Sequence, residues 1–314
     1  MNNIKKYKIY IFFSVIILAF ISSSLFAQSI NFIAIGDWGR EGMYLQKETA
    51  NTMGYYGGNN KTDFVITLGD NIYNTGVTGT DDPKWQTCFE QVYSAPSMVF
   101  IPWYATLGNH DYYGNVQAQI DYSSLSWRWE MPARYYAFEK NLGEGISVLF
   151  VMIDTNPFLE GYRNMEKDGK YDSFIDEINS QDPEIQLMWI DSVLSVSTAK
   201  WKIVAGHHPV FSGGEHGNTK ELIEKLEPVL EKSNVDMYIA GHDHDIQYLK
   251  KSGSAVNYFI SGAGSKLRET GTMEYTLYAK SINGFLGVTV SAENIKATFV
   301  DYNGISLYNV EIKK

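Results

Sequence analysis

Residues 63–73 read DFVITLGDNIY. Phe64 to Leu68 form a continuous apolar run with no alternation, which suits a strand buried on both faces, and the run stops abruptly at Gly69, Asp70 and Asn71. The same pattern recurs along the chain: INFIAI (30–35) ends in GDWG, WYATL (103–107) in GNHD, ISVLFVM (146–152) in IDT, WKIVA (201–205) in GHHP, and DMYIA (236–240) in GHDHD. Open α/β sheets place their sites at the carboxyl ends of such strands. A repeated strand with a polar end therefore predicts both the fold class and the location of the chemistry. Tyr73, three residues after Asp70, is harder to place, because an ordinary surface loop has no need of an aromatic there.

Helical patterns separate the strands. In NTKELIEKLEPVLEKSN (218–234), Leu222, Ile223, Leu226 and Leu230 repeat at helical spacing behind a cap at Asn218 or Thr219, and Pro228 is expected to kink or end the helix. Residues 159–183 are dense in charge and poor in aliphatics, and read as an excursion over the surface. The runs VNYFISGAG, GFLGVTVSA, NIKATFVDY and SLYNVEIK with intervening turn residues predict an antiparallel finish. These elements predict a single α/β domain over residues 28–314, built around two sheets.

The first 27 residues differ in kind. Lys5, Lys6 and Lys8 precede an apolar run from Ile9 to Ile21, followed by SSSLFA, the layout of a secretory signal cleaved after Ala27. The run is short for a membrane span, which sets an uncleaved anchor as the competing reading. Export, to periplasm or medium, is the expectation, with no stable membrane association after cleavage. Cleavage would move the formal net charge from −10 to −13, disfavouring nucleic-acid backbones and anionic membranes as partners. An anionic substrate would then need local positive charge, which a metal supplies. The single cysteine, Cys88, excludes an internal disulfide. Nothing in the sequence fixes the oligomeric state.

The six histidines are His110, His207, His208, His216, His242 and His244, and all but His216 fall inside the strand-end clusters. Confinement to these patches, beside Asp37, Asp70 and Asn109, points to metal ligation. On an extended chain His242 and His244 would project to one side, with Asp243 to the other. Two such rings can serve two adjacent metals, with the carboxylate of Asp70 as the natural bridge.

The ordered set GDWG, GDNIY, GNHD, AGHHP and GHDHD resembles the purple acid phosphatases, within the calcineurin-like phosphoesterases, and most of all their small, tartrate-resistant mammalian-type branch. The likeness extends to YNTGV (73–77), PWYATLGNHDYYGNVQAQIDYS (102–123), GGEHG (213–217) and GHDHDIQYL (241–249). Related phosphoesterases usually carry a histidine two residues after the first aspartate. Gly39 stands there, which favours the tyrosine-bearing subfamily. The resemblance implies a four-layer αββα sandwich of two facing mixed sheets, with a dinuclear metal site at the strand carboxyl ends. It assigns Asp37, Tyr73 and His244 to one metal, Asn109, His207 and His242 to the other, and Asp70 to both. The first set is rich in hard anions and suits Fe(III); the second suits Fe(II), Zn(II) or Mn(II).

The activity implied is that of an acid phosphatase, which cleaves small phosphomonoesters or phosphoproteins by attack of metal-bound hydroxide; a trivalent ion would sustain that hydroxide in mildly acidic medium. By resemblance, His110 and His216 supply the leaving-group proton or contact the phosphate, and His208 is a wall residue. A phosphodiesterase or nucleotidase on the same centre, and a noncatalytic metal- or phosphate-binding protein, are the alternatives. The position of residues 159–183 resembles that of an inhibitory loop.

Overall fold

The apolar runs become strands because each buries both faces. The structure, a computed structural model, describes residues 29–314, so the signal peptide expected over 1–27 lies outside the described residues. In chain order the strands are β1 (Ile30–Ile35), β2 (Phe64–Leu68), β3 (Trp103–Thr106), β4 (Trp129–Glu130), β5 (Tyr136–Gly143), β6 (Ile146–Met152), β7 (Trp201–Ala205), β8 (Met237–Ala240), β9 (Ile246–Leu249), β10 (Asn257–Ser261), β11 (Thr276–Lys280), β12 (Gly284–Val290), β13 (Asn294–Asp301) and β14 (Ser306–Lys313). The α-helices are α1 (Gln46–Asn60), α2 (Pro96–Val99), α3 (Asn109–Tyr112), α4 (Val116–Tyr122), α5 (Glu160–Arg163), α6 (Asp172–Asn179), α7 (Pro183–Val196) and α8 (Lys220–Lys232).

Two mixed sheets result. The first has the order β14-β13-β12-β1-β2-β3-β4, parallel from β1 to β4 and antiparallel from β1 through β12 to β14. The second has the order β11-β9-β10-β8-β7-β6-β5, with β10, β8, β7 and β6 parallel and the outer strands antiparallel. They face each other across rings: Phe32 and Phe64 of the first meet Phe150 of the second, centroids 5.5 and 5.4 Å apart, edge to face. Along β6, Val148, Phe150 and Met152 enter this inner core, whereas Leu149 and Val151, with Ile153 just past the strand, pack outward with Ile190 and Leu194 of α7 and Leu222, Leu226 and Leu230 of α8. Helix α1 lies against β1 and β12 on the opposite outer face. Full burial of one such large side chain contributes about 1.5–3 kcal/mol. The layers are helix, sheet, sheet, helix.

Several elements depart from the sequence expectations. Of the two outcomes expected at Pro228, helix α8 does not end there but runs on to Lys232; Pro228 and Glu224, the residue whose carbonyl it frees, are both exposed, so water can satisfy that group. Residues 159–183 are not a bare excursion, because α6 buries Phe174, Ile175 and Ile178 in the core. In the predicted antiparallel finish, β10 pairs parallel with β8 on one side and antiparallel with β9 on the other.

The carboxyl ends of the two sheets are tied together. Gly36 N–H donates to Ser261 O (2.8 Å), Gly264 N–H to Gly36 O (3.1 Å), and Ser261 Oγ to Ala34 O (2.9 Å), which joins the end of β1 to that of β10. The loops after β1 and β2 are equally close, since Tyr73 N–H donates to Gly39 O (2.8 Å) and a Cβ added at Gly39 would lie 1.9 Å from Asn71 O. No side chain fits there, which gives a steric reason for glycine at position 39. Gly39→Ala should destabilise the protein by about 1–3 kcal/mol, measured as a lower denaturant midpoint at unchanged slope. An unchanged midpoint would show that the two loops do not touch.

Candidate metal centre

Five strand-end segments, those after β1, β2, β3, β7 and β8, deliver the predicted residues to one place. Asp37 (after β1), Asp70 and Tyr73 (after β2) and His207 (after β7) are buried, with His244 3% exposed after β8. Asp37, Asp70 and His242 have φ of 59°, 49° and 68°, a left-handed backbone that non-glycine residues seldom adopt. The turn after each strand is therefore sharp enough to point its side chain back across the sheet end. Gly108 allows the loop after β3 to approach Asp70: a Cβ there would meet Asp70 N and Oδ1 at 2.2 Å each.

The polar atoms form two groups that share Asp70. In the first, Tyr73 Oη lies 2.8 Å from both Asp37 Oδ1 and Asp70 Oδ2 and 3.2 Å from His244 Nε2, and His244 Nε2 is 3.4 Å from Asp37 Oδ1. In the second, His207 Nε2 lies 3.2 Å from Asn109 Oδ1, 3.2 Å from His242 Nδ1 and 3.5 Å from Asp70 Oδ1. Backbone N–H groups fix the carboxylates from outside: His242 N–H donates to Asp37 Oδ2 and His110 N–H to Asp70 Oδ1, each at 2.8 Å. His207 Nδ1–H donates to Leu68 O (2.7 Å), which leaves the Nε2 lone pair facing the cluster.

This donor set suits cations. One phenolic proton cannot serve two carboxylates, and His207 Nε2, His242 Nδ1 and Asn109 Oδ1 bring more lone pairs than protons. Asp37, Asp70 and His207 have ligand atoms mutually within 4.8 Å, as do His207, His208 and His242. His208 belongs to the second group by distance only. Its Nδ1 is 2.7 Å from Thr155 Oγ1 and its Nε2 3.1 Å from Tyr162 Oη, so both nitrogens already have hydroxyl partners and the ring acts as a wall.

The sequence expectation for His242 and His244 needs correction. Residues 242–245 are bends, not an extended chain, and the rings diverge: His242 joins His207 while His244 joins Tyr73. Asp243 does not face solvent; it accepts from Ser212 Oγ and from His216 N–H (3.0 Å) and so holds the loop that carries His216. His216 stacks on His242 at 4.1 Å, with Arg268 Nη1 donating to its Nε2. His110 Nδ1 lies 2.6 Å from Asn74 O, and its ring is 4.5 Å from that of Tyr73. Asp111, fully buried, accepts from the N–H groups of Gly108, Asn71 and Ile72 and from Gln119 Nε2.

Two residues were missed from sequence. The Arg40 guanidinium lies 3.5 Å from the Tyr73 ring centroid and donates to Asn74 Oδ1 (3.1 Å), and Arg268 reaches the same mouth from the segment after β10. Arg40 directly follows GDWG, and that adjacency was the only available signal.

Burial dominates the electrostatics. It holds Asp37 well above the usual carboxylate range, reinforced by the Asp70 charge, and raises the Tyr73 phenol well above its ordinary value with both carboxylates adding to the effect. Burial would raise Asp70 as well, but the nearby His207 and His110 rings and the bonds it accepts bring it below the ordinary value. Burial lowers His207, His208 and His242, and takes His244 down to about 3. In the metal-free folded chain these rings are therefore neutral where the unfolded chain's rings would bind protons. Stability is retained above the unfolded value of about 6.5 and falls as pH drops from there towards 3. Buried Asp37 works in the opposite sense over the same window, so the histidine contribution is read by difference: metal-free wild type should lose more melting temperature between pH 7 and pH 4 than metal-free His244→Asn, and equal losses would show that this ring is not held neutral by the fold.

The family profile described as calcineurin-like phosphoesterase matches residues 30–245. Purple acid phosphatase 4 of Arabidopsis thaliana is 39% identical over 91% of this chain and 84% of its own length, and human tartrate-resistant acid phosphatase type 5 is 34% identical over 91% of each. Among solved structures, GAP50, described as the anchor in the inner membrane complex of Plasmodium, superposes with a TM-score of 0.76 at 25% identity, covering 91% of this chain and 89% of its own. The lupin purple acid phosphatase PPD1 gives 0.63 at 14% identity over 91% of this chain and 54% of its own, a likeness of fold alone. With its fold and donor set in place, the chain belongs to the purple acid phosphatases and is a metal-dependent phosphatase.

Proposed function

We propose that the protein is an exported acid phosphatase that hydrolyses phosphomonoesters at a dinuclear centre of Fe(III) with Fe(II), Zn(II) or Mn(II). The observation that carries this reading is Tyr73 Oη, 2.8 Å from both the Asp37 and Asp70 carboxylates. Three hard oxygens at one corner favour a trivalent ion. The neighbouring corner offers imidazoles, the Asn109 amide and a share of Asp70, which suits a divalent one. Asp37, Tyr73 and His244 are the proposed ligands of the first site and Asn109, His207 and His242 those of the second, with Asp70 common to both.

When bound, the ions supply Lewis acidity to phosphate oxygens and an acidified water. The remaining steps belong to side chains. His110 donates Nδ1–H to Asn74 O, and when the ring is doubly protonated its Nε2 proton can pass to the departing alkoxide, leaving a neutral imidazole still bound to Asn74. For His216, burial lowers the pKa and Arg268 donates to Nε2, which favours contact with the phosphate over proton supply, the two roles expected of it. Arg40 and Arg268 bring positive charge to a chain of formal charge −10, and so favour a small anionic ester or a phosphoprotein over a polyanionic backbone. Export rests on the signal layout of residues 1–27; among the described residues, no helix is long and apolar enough to cross a membrane.

The purified protein should show a purple or pink absorption band from phenolate-to-Fe(III) charge transfer, and Tyr73→Phe should abolish it while iron content is checked independently. A colourless, fully metallated wild type would move the assignment to two divalent ions. In kinetics, Asp70→Asn should lower turnover of nitrophenyl phosphate by at least ~100-fold, more than is typical for residues that only support a ligand. Unchanged turnover would place the chemistry elsewhere, and a preference for the bis-ester would make the protein a phosphodiesterase.

A further inference from the structure

Beside the metal centre is a cavity of about 400 Å³ whose lining includes Asn74, His110, Tyr113, Lys170, Tyr171 and Phe174. It begins at the centre itself, because Asn74 is the neighbour of Tyr73 and the His110 backbone N–H holds Asp70. Its far wall is aromatic: Tyr113 stacks on Phe174 at 4.7 Å and lies 5.2 Å from Tyr171, and His110 continues the series at 5.6 Å from Tyr113. The Lys170 ammonium sits 4.5 Å from the Tyr171 ring centroid at the rim. A second hollow, near His216, is lined by Gly213, Gly214, Gly271, Thr270 and the acids Glu215 and Glu269, and offers no aromatic side chain. An ester bound at the metals thus has one aromatic and one acidic neighbour.

We propose that the aromatic cavity is the leaving-group subsite and that it selects phosphate esters of aromatic alcohols, with Tyr171 as the principal specificity residue. This rests on the phosphomonoesterase reading above. Flat rings gain from offset and edge contacts with the half-buried Tyr171 and Tyr113, which the fully buried Phe174 backs, whereas a short polar alcohol such as glycerol gains nothing there. Residues 170–174 supply Lys170, Tyr171 and Phe174, and α6 is anchored by Phe174, Ile175 and Ile178 in the core, so the wall is held in place without a ligand. The segment read from sequence as a charged excursion is in this view a recognition element.

The test compares 2-naphthyl phosphate, phenyl phosphate and glycerol phosphate in wild type, Tyr171→Ser and Tyr171→Phe. The two phenols have similar acidity, so their difference reports ring contact and not leaving-group chemistry. Wild type should favour the naphthyl ester over the phenyl ester. Tyr171→Ser should reduce the naphthyl-to-glycerol ratio of kcat/KM roughly five-fold, about the size of one aromatic contact, mainly through KM, and Tyr171→Phe should restore it. The inhibition constant of inorganic phosphate, which carries no ester group, should move less than the naphthyl KM. Equal falls for all three esters, or an unchanged ratio, would overturn the subsite. A wild type that hydrolyses none of them would instead overturn the phosphatase reading and this inference with it.

Discussion

Everything functional in this molecule depends on the backbone hydrogen bonds that join the end of β1 to the end of β10. The Gly36–Ser261 and Gly264–Gly36 bonds hold two separate sheets together at one edge, while Phe150 holds them at ring distance further back. The carboxylates come from the first sheet and three of the imidazoles from the second. Were the edges to part, no side chain could close the gap, because Asp37, Asp70 and His207 are short and already reach each other at their limit. The site is therefore a property of the joint between sheets more than of either sheet.

That joint concentrates acceptors in a space with few protons. Buried carboxylates and neutral imidazoles are each costly when unpaired, and here they face one another. The result is a cluster whose discomfort is relieved by positive charge. The outward bonds, from His242 N–H, His110 N–H and His207 Nδ1–H, stop the side chains from turning away to relieve it independently. Asp111 extends the same logic one step further out, since its four donor residues tie the loop after β2 to α3 and keep Asp70 aimed.

The sequence showed most of this because the informative pattern is local. A continuous apolar run and its polar end occupy about ten neighbouring residues, so β1, β2, β3, β6, β7 and β8 could be read directly, together with the residues at their ends. Strands β5 and β11 could not, because their alternating half-exposed residues, such as Glu139 and Lys140, look like ordinary surface. Arg40 and Arg268 escaped for a different reason: their partners Tyr73 and His216 are 33 and 52 residues away, and proximity of that kind exists only after folding. The expectation for His242 and His244 found the right residues by the wrong geometry, assuming an extended chain where the backbone turns at φ 68°. Phe174, Ile175 and Ile178 were visible as an apolar set, but the surrounding charge masked them.

The left-handed backbone at Asp37, Asp70 and His242 has a bearing on how such a scaffold ages. Each of these residues holds a conformation that costs of order 1 kcal/mol or more, and glycine would adopt it freely. Substitutions that destroy ligation can therefore leave the fold intact, or even firm it. A lineage released from selection for turnover would meet little thermodynamic resistance in losing its metals, and would inherit a rigid sandwich whose two sheets remain joined. Binding roles without chemistry are in that sense a short walk from the enzyme.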